Sequence, residues 1–317
     1  MKLTFGIAVV LLLAPSRVLA WGALGHSTIG FVAMQFISPN TLQNVQGILG
    51  SEFGETLGGS AASWADTVRS QAAFTFSAPF HFIDAEDNPP TSCSVDFSRD
   101  CGASGCVGAV FIFAADLKHK FTLAKVSAIQ NYTTRLLDTK PFSSSVRIIF
   151  FSLVFSAEDL SFRLDHFVGD IGQPLHDEAL KLGGNDINAV CGGKSTNLHA
   201  AWDTGMLTTS ANVRFGGSAQ TYATFLANEI KTGSFASLAE GWLSCIATSA
   251  LTGTSCPLTW AQEANTFNCI DVFNFTKGED LCTGTYFNNA IPVIDEQLAK
   301  QGFRLAAWLD AVFDSRA

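Results

Sequence analysis

The sequence predicts an all-α fold built as one mostly helical domain, and three observations predict it. Apolar residues recur at helical spacing, most clearly over Ile291–Phe313, where Ile294, Leu298, Leu305, Trp308, Leu309 and Val312 share a face. No apolar–polar alternation persists long enough to build a large sheet. The side chains that carry chemistry come in pairs four apart, His166 with Asp170 and His199 with Asp203, which sets each pair side by side on a helix. No repeat or linker divides the chain, and it is long enough for one large core.

Taken in order, residues 1–20 read as a secretory signal. Lys2 supplies the charged start, Gly6 to Ala14 the apolar run, and Val18-Leu19-Ala20 the cleavage site. The run is too short to span a bilayer. Cleavage makes Trp21 the new N-terminus, with His26 five residues on. His26 opens a helical stretch carrying Ile29, Val32, Ala33 and Phe36, which Pro39 is expected to stop. Ala61–Arg69 reads as a helix with Asp66 and Arg69 on one face. His81 follows beside Phe82 and Asp84, and taken alone it reads as a core histidine.

Asp165–Thr204 holds three of the six histidines, each near a carboxylate. Imidazole nitrogen and carboxylate oxygen are what zinc takes as ligands. A single His-x-x-x-Asp is ordinarily a hydrogen-bonded pair. Two such pairs with His176 between them point to metal. There is no Cys-x-x-Cys, so a structural thiolate site is not expected. A carboxylate-rich set leaves coordination positions open, as catalytic sites do.

The chain has 19 basic and 28 acidic side chains, a formal charge of −9. Loss of Lys2 and Arg17 with the signal takes this to about −11. Such a balance excludes the Lys/Arg footprint of a usual nucleic-acid binder. Eight cysteines suit an oxidising compartment. Two glycosylation sequons begin at Asn131 and Asn274.

WGALGH from Trp21 to His26, WAD with Asp66, HFIDAEDNPP, DCGASGC, HFVGDIGQPLHDE, GGN, NLHAAWDT and GFRLAAWLD together resemble the fungal single-strand-specific zinc nucleases of the S-one and P-one type, also called 3′-nucleotidases. The resemblance runs from Trp21 nearly to the C-terminus. It implies the mostly helical fold shared with zinc phospholipase C and a cleft holding three zinc ions. Asp66, His81, His166 and Asp170 would hold the first. Trp21, through its amine and carbonyl, would join His26 and Asp170 on the second, with Asp170 bridging. His176, His199 and Asp203 would hold the third.

The resemblance further implies Asp66, Arg69 and Asp170 as catalytic residues, with Phe82, Asp84 and Asn185 contacting substrate. The expected partners are single-stranded RNA and DNA and 3′-mononucleotides, met by a secreted monomer that does not enter membranes. Metal charge then resolves the conflict with the acidic composition, because bound ions dominate the local field. Eight cysteines allow about 105 pairings. The resemblance implies Cys93 with Cys269 and Cys101 with Cys106, Cys245 with Cys256 is a third expected pair, and Cys191 and Cys282 have no assignment. Two rival readings stay open: a phospholipase C-like phosphodiesterase, and a non-catalytic zinc-binding protein.

Two segments depart from the family pattern, Val107–Val126 before SAIQNYT and Val146–Phe155 before the His166 helix. Both begin with valine, the residue an in-frame intron start (GT) encodes, and both are rich in Phe, Ile and Val. They read either as retained introns or as genuine insertions. Exposed apolar runs are aggregation liabilities, which favours the former. Sequencing the transcript across both junctions is expected to show one or both segments missing, and messages carrying both in full would overturn this.

Overall fold

The structure, a computed structural model, describes residues 21–72, 74–101, 106, 110–114, 122–126, 129, 133, 157–246, 251 and 255–314. The signal segment, Asn131 and Val146–Phe155 lie outside the described residues. The helices among the described residues are α1 (Ala23–Ala33), α2 (Pro39–Leu49), α3 (Trp64–Val68), α4 (Phe97–Asp100), α5 (Ala157–Asp170), α6 (Leu198–Ala200), α7 (Met206–Phe215), α8 (Ala219–Lys231), α9 (Ala239–Trp242), α10 (Ser255–Phe267) and α11 (Gly284–Asp314). Sheet among the described residues is confined to two antiparallel pairs, β1 (Val110–Ala114) with β2 (Thr122–Val126), and β3 (Asn188–Cys191) with β4 (Lys194–Asn197). Part of the first atypical segment therefore forms a hairpin, in register from Val110↔Val126 to Ala114↔Thr122. No helix among the described residues is long and apolar enough to cross a membrane.

Boundaries differ from the sequence reading for local reasons. α1 starts ahead of His26 and ends before Phe36, and Pro39 opens α2 as well as closing what precedes it. Ser38 caps α2 by accepting from Thr41 N–H, and a proline at the first helical position gives up a donor that would be unpaired anyway. α3 covers only five residues, yet Asp66 and Arg69 still sit one turn apart, with Arg69 Nη1 3.6 Å from Asp66 Oδ1.

α11 is the axis of the core, and all six residues predicted to face inward on it are buried. α1 packs along it and against α8, with α2, α5 and α7 also against α11. A β-carbon on Gly302 would lie 2.5 Å from Val32 Cβ, so glycine is what lets α1 and α11 close up.

The segment linking α5 to the turn Pro174–Asp177 is buried, so its carbonyls need protein donors rather than water. α10, α11 and the π-turn Asn268–Val272 supply them. Gln297 Nε2 donates to Gly172 O (2.7 Å), Asn268 Nδ2 to Pro174 O (2.8 Å) and Asn265 Nδ2 to Asp177 O (2.7 Å). Four disulfides complete the frame: Cys93–Cys269, Cys101–Cys106, Cys245–Cys256 and Cys191–Cys282. The last ties the β3–β4 hairpin down, where Asp280 also accepts from Gly192 and Gly193 N–H.

Candidate metal centre

His166 and Asp170 occupy the last turns of α5 and are fully buried, with His166 Nε2 3.3 Å from Asp170 Oδ2. His81, ending the 3₁₀ turn Thr75–His81, brings Nδ1 to 3.0 Å from the same oxygen and 3.1 Å from His166 Nε2. Asp66 Oδ1 stands 3.7 Å from His166 Nε2 and 3.8 Å from His81 Nδ1. The other Asp170 oxygen, Oδ1, faces His26 Nε2 of α1 at 3.2 Å. One carboxylate thus divides its two oxygens between two sets of imidazoles. The rings of His26 and His166 stack with centroids 3.9 Å apart.

A separate cluster joins His176, His199 and Asp203. His199 Nε2 is 3.0 Å from Asp203 Oδ2 and 3.2 Å from His176 Nε2. The His199–Asp203 pair does not sit on a regular helix. α6 is followed by the π-turn Ala201–Gly205, which carries Asp203 before α7 resumes. π-turns frequently mark functional sites.

Main-chain carbonyls decide which ring nitrogens are bare. His166 Nδ1 lies 2.8 Å from Ala62 O, His176 Nδ1 2.6 Å from His81 O, and His199 Nδ1 2.6 Å from Gly183 O. A carbonyl only accepts, so each Nδ1 carries the proton and each Nε2 presents a lone pair. Two such lone pairs and a carboxylate oxygen therefore converge at His176, His199 and Asp203. A second convergence lies at His81, His166, Asp66 and Asp170. Donor sets of this kind fit a divalent cation and repel one another without one. Among the described residues, three groups are close enough to hold an ion: His26–Asp66–His166, His81–His166–Asp170 and His176–His199–Asp203.

Burial acts the same way on every charge state that lacks a partner. It holds the His26, His81 and His176 imidazoles well below the usual histidine range, with neighbouring imidazoles adding to the effect. It raises the Asp170 carboxyl well above the carboxylate range, with Asp66 contributing. Burial also pushes His199 down, but Asp203 outweighs it and the net shift is upward.

The remaining predicted residues border these groups. Trp21 is buried just before α1, and the next residue, Gly22, donates its N–H to Asp203 O (2.9 Å). Arg69 stays beside Asp66. Phe82 and Asp84 follow His81 in extended backbone that bonds to the His176 segment through Ile83 N–H to His176 O (2.6 Å) and Ala179 N–H to Ala85 O (3.2 Å). Residues two apart on a strand share a face. Ile83 and Ala85 are buried while Phe82 is half-exposed and Asp84 exposed, so the latter two lie on the open side. Asn185 is partly exposed and gives its amide to Leu182 O (2.8 Å).

Sequence reasoning missed two features. Gln173 is fully buried, accepts from Leu175 N–H at 2.6 Å and donates to Asp203 Oδ1, fixing that carboxylate. A polar residue directly before Pro174 was its only trace. The turn Lys181-Leu182-Gly183-Gly184 runs left-handed throughout, with φ of 54°, 54°, 57° and 78°. Non-glycine residues rarely adopt such φ, and runs of it are strained. This turn delivers Gly183 O to His199, and a β-carbon there would lie 2.5 Å from Leu175 O.

A helical scaffold that gathers buried imidazoles and carboxylates from separate elements into cation-ready groups defines a helical protein of the metal-binding class. The chain belongs to the S1/P1 nuclease family, whose profile matches residues 21–314. It is 39% identical to nuclease S1 of Aspergillus oryzae over 92% of this chain and 91% of that protein. It is 40% identical to nuclease P1 of Penicillium citrinum over 93% and 98%, and 30% identical to endonuclease 3 of Arabidopsis thaliana over 94% and 90%.

Gly183→Ala is expected to weaken ion retention at His176–His199–Asp203 by about 10–100-fold, as loss of a carbonyl partner to a ligating histidine does. Competition against a chelator measures it. Gly193→Ala, equally left-handed at φ 73° but with no atom near its β-carbon, serves as the control and is expected to retain metal normally.

Proposed function

We propose that this chain is a secreted endonuclease that hydrolyses phosphodiester bonds of single-stranded RNA and DNA to 5′-phosphorylated products and also acts on 3′-mononucleotides. Residues 1–20 are removed as a signal and residues 21–317 form one nuclease domain that works as a monomer. The observation that carries this reading is Asp170, whose two oxygens serve His26 on one side and His81 with His166 on the other. A carboxylate so placed would serve two bound cations at once.

Asp66, His81, His166 and Asp170 would hold one zinc ion, His26 and Asp170 with the Trp21 amine and carbonyl a second, and His176, His199 and Asp203 a third. Zinc when bound lowers the pKa of water enough for hydroxide to be available near neutral pH, and neutralises phosphate charge. The chain's own residues do the remaining work. Arg69, next to Asp66, neutralises charge building on the phosphoryl group. Phe82 stacks a base and Asp84 bonds its edge from the same open face, which requires an unpaired base and so selects single strands. Asn185 contacts substrate from the turn that supports His199.

Asp170→Ala is expected to lower zinc content below three per chain and to reduce nuclease rate more than Asp66→Ala or Asp203→Ala. Three zinc ions retained in Asp170→Ala would overturn the bridging role. The sign of the acid response follows from the shifts above. Imidazoles with lowered pKa stay neutral, and so remain ligands, at pH below 6.5. His199, raised by Asp203, takes a proton first. Activity is therefore expected to peak below pH 7. On further acidification, metal analysis should record one zinc leaving ahead of the other two. Simultaneous loss of all three, or a rate that climbs steadily into alkaline pH, would count against the reading.

A further inference from the structure

Beside Tyr286, whose hydroxyl accepts from Trp202 Nε1–H, a cavity of about 260 Å³ is lined by Asp271, Asn274, Glu279, Thr285, Tyr286 and Asn289. Asn274 is also the acceptor of the sequon Asn274-Phe275-Thr276, and both Asn274 and Thr276 are exposed. The turn that carries them is closed at each end. Asn274 N–H donates to Asp271 O (3.1 Å), Glu279 N–H to Thr276 O (3.0 Å), and Thr276 N–H to the Glu279 carboxylate. Phe275 packs edge-on against Tyr286, ring centroids 6.2 Å apart. Asn274 is thereby held exposed along the lining of the cavity.

The lining decides what fits. Two carboxylates make the rim hostile to phosphate by like-charge repulsion, so a nucleotide is excluded. Carboxylate, hydroxyl and amide groups on the rim are suited to ring hydroxyls. The floor is the buried ring of Tyr286, whose hydroxyl donates to Val272 O (2.7 Å) and accepts from Trp202 Nε1–H (2.8 Å). The volume falls just below the range of about 300–1,000 Å³ typical of pockets for drug-sized ligands, which leaves room for a sugar ring or two.

We infer that this cavity seats the chain's own N-linked glycan, with the first N-acetylhexosamine on Asn274 folded back over Tyr286. The linkage forms by transfer from a polyprenyl-pyrophosphate-linked oligosaccharide. Asn274 Nδ2 bonds to the anomeric carbon, the bond from that carbon to the pyrophosphate oxygen breaks, the pyrophosphate leaves with the electron pair, and the amide nitrogen gives up one proton. Because Tyr286 holds Trp202, which directly precedes Asp203, a seated sugar braces the π-turn that carries Asp203. The inference rests on the secretory reading and on no assumption about the reaction.

The test is to produce the full chain in a eukaryotic secretory host, map Asn274 by mass spectrometry, and measure Tm. Asn274→Gln and Thr276→Ala are both expected to abolish modification there and to lower Tm by about 2–4 °C, the shift a modest loss of stability gives in a chain of this size. Asn289→Ala should keep the glycan by mass yet show the lower Tm, and should add nothing further in the Asn274→Gln background. A chain that reaches the medium with Asn274 bare overturns the inference and leaves secretion standing, whereas a chain that never enters the secretory route overturns both. Sequon variants that melt with the wild type, or an Asn289→Ala effect that persists without the glycan, overturn the seat.

Discussion

His166, His176 and His199 each give an Nδ1 proton to a main-chain carbonyl, at Ala62, His81 and Gly183, and much of the structure exists to hold those carbonyls in place. The three come from different parts of the chain: a turn before α3, the end of a 3₁₀ turn, and a left-handed turn after the His176 segment. Once the protons are committed there, Nε2 lone pairs have no direction left but inward. The sites are defined by where protons go as much as by which residues are present.

Assembling mutually repelling donors in a buried space works against stability, and the surroundings show how the cost is met. Asn265, Asn268 and Gln297 replace water as donors to the buried segment before and around His176. Gln173 does the same for Asp203. A left-handed run of four residues is tolerated because Gly183 and Gly184 occupy half of it and its carbonyl is used. α1, α8 and α11 pack largely through apolar side chains, with His26 of α1 and Gln297 of α11 reaching into the site.

Much of this was legible in the sequence. The apolar face of Ile291–Phe313 is the buried face of α11, and the eight imidazole and carboxylate side chains expected to bind metal lie in the three close groups. Helical spacing and residue type carry that information directly. Boundaries were less legible, since Pro39 both ends one stretch and begins another, and a five-residue helix such as α3 has too few turns to show a period. The π-turn under Asp203 and the left-handed turn before Asn185 left no periodic trace, because both depend on contacts made from distant segments. Pairing of Cys191 with Cys282 was likewise out of reach, since it is fixed by how Asp280 and Leu281 dock on the β3–β4 hairpin.

His81 occupies an unusual place among these residues. Its side chain faces Asp170 and His166, while its carbonyl receives the proton of His176 across the cleft. A single residue therefore addresses two clusters with two different parts of itself. Any displacement of the backbone at that point shifts a donor in one cluster and the anchor of the other together. The two halves of the centre are geared to each other, so that a distortion introduced on either side is transmitted rather than absorbed, and the spacing between them is a property of one peptide unit rather than of two independent loops.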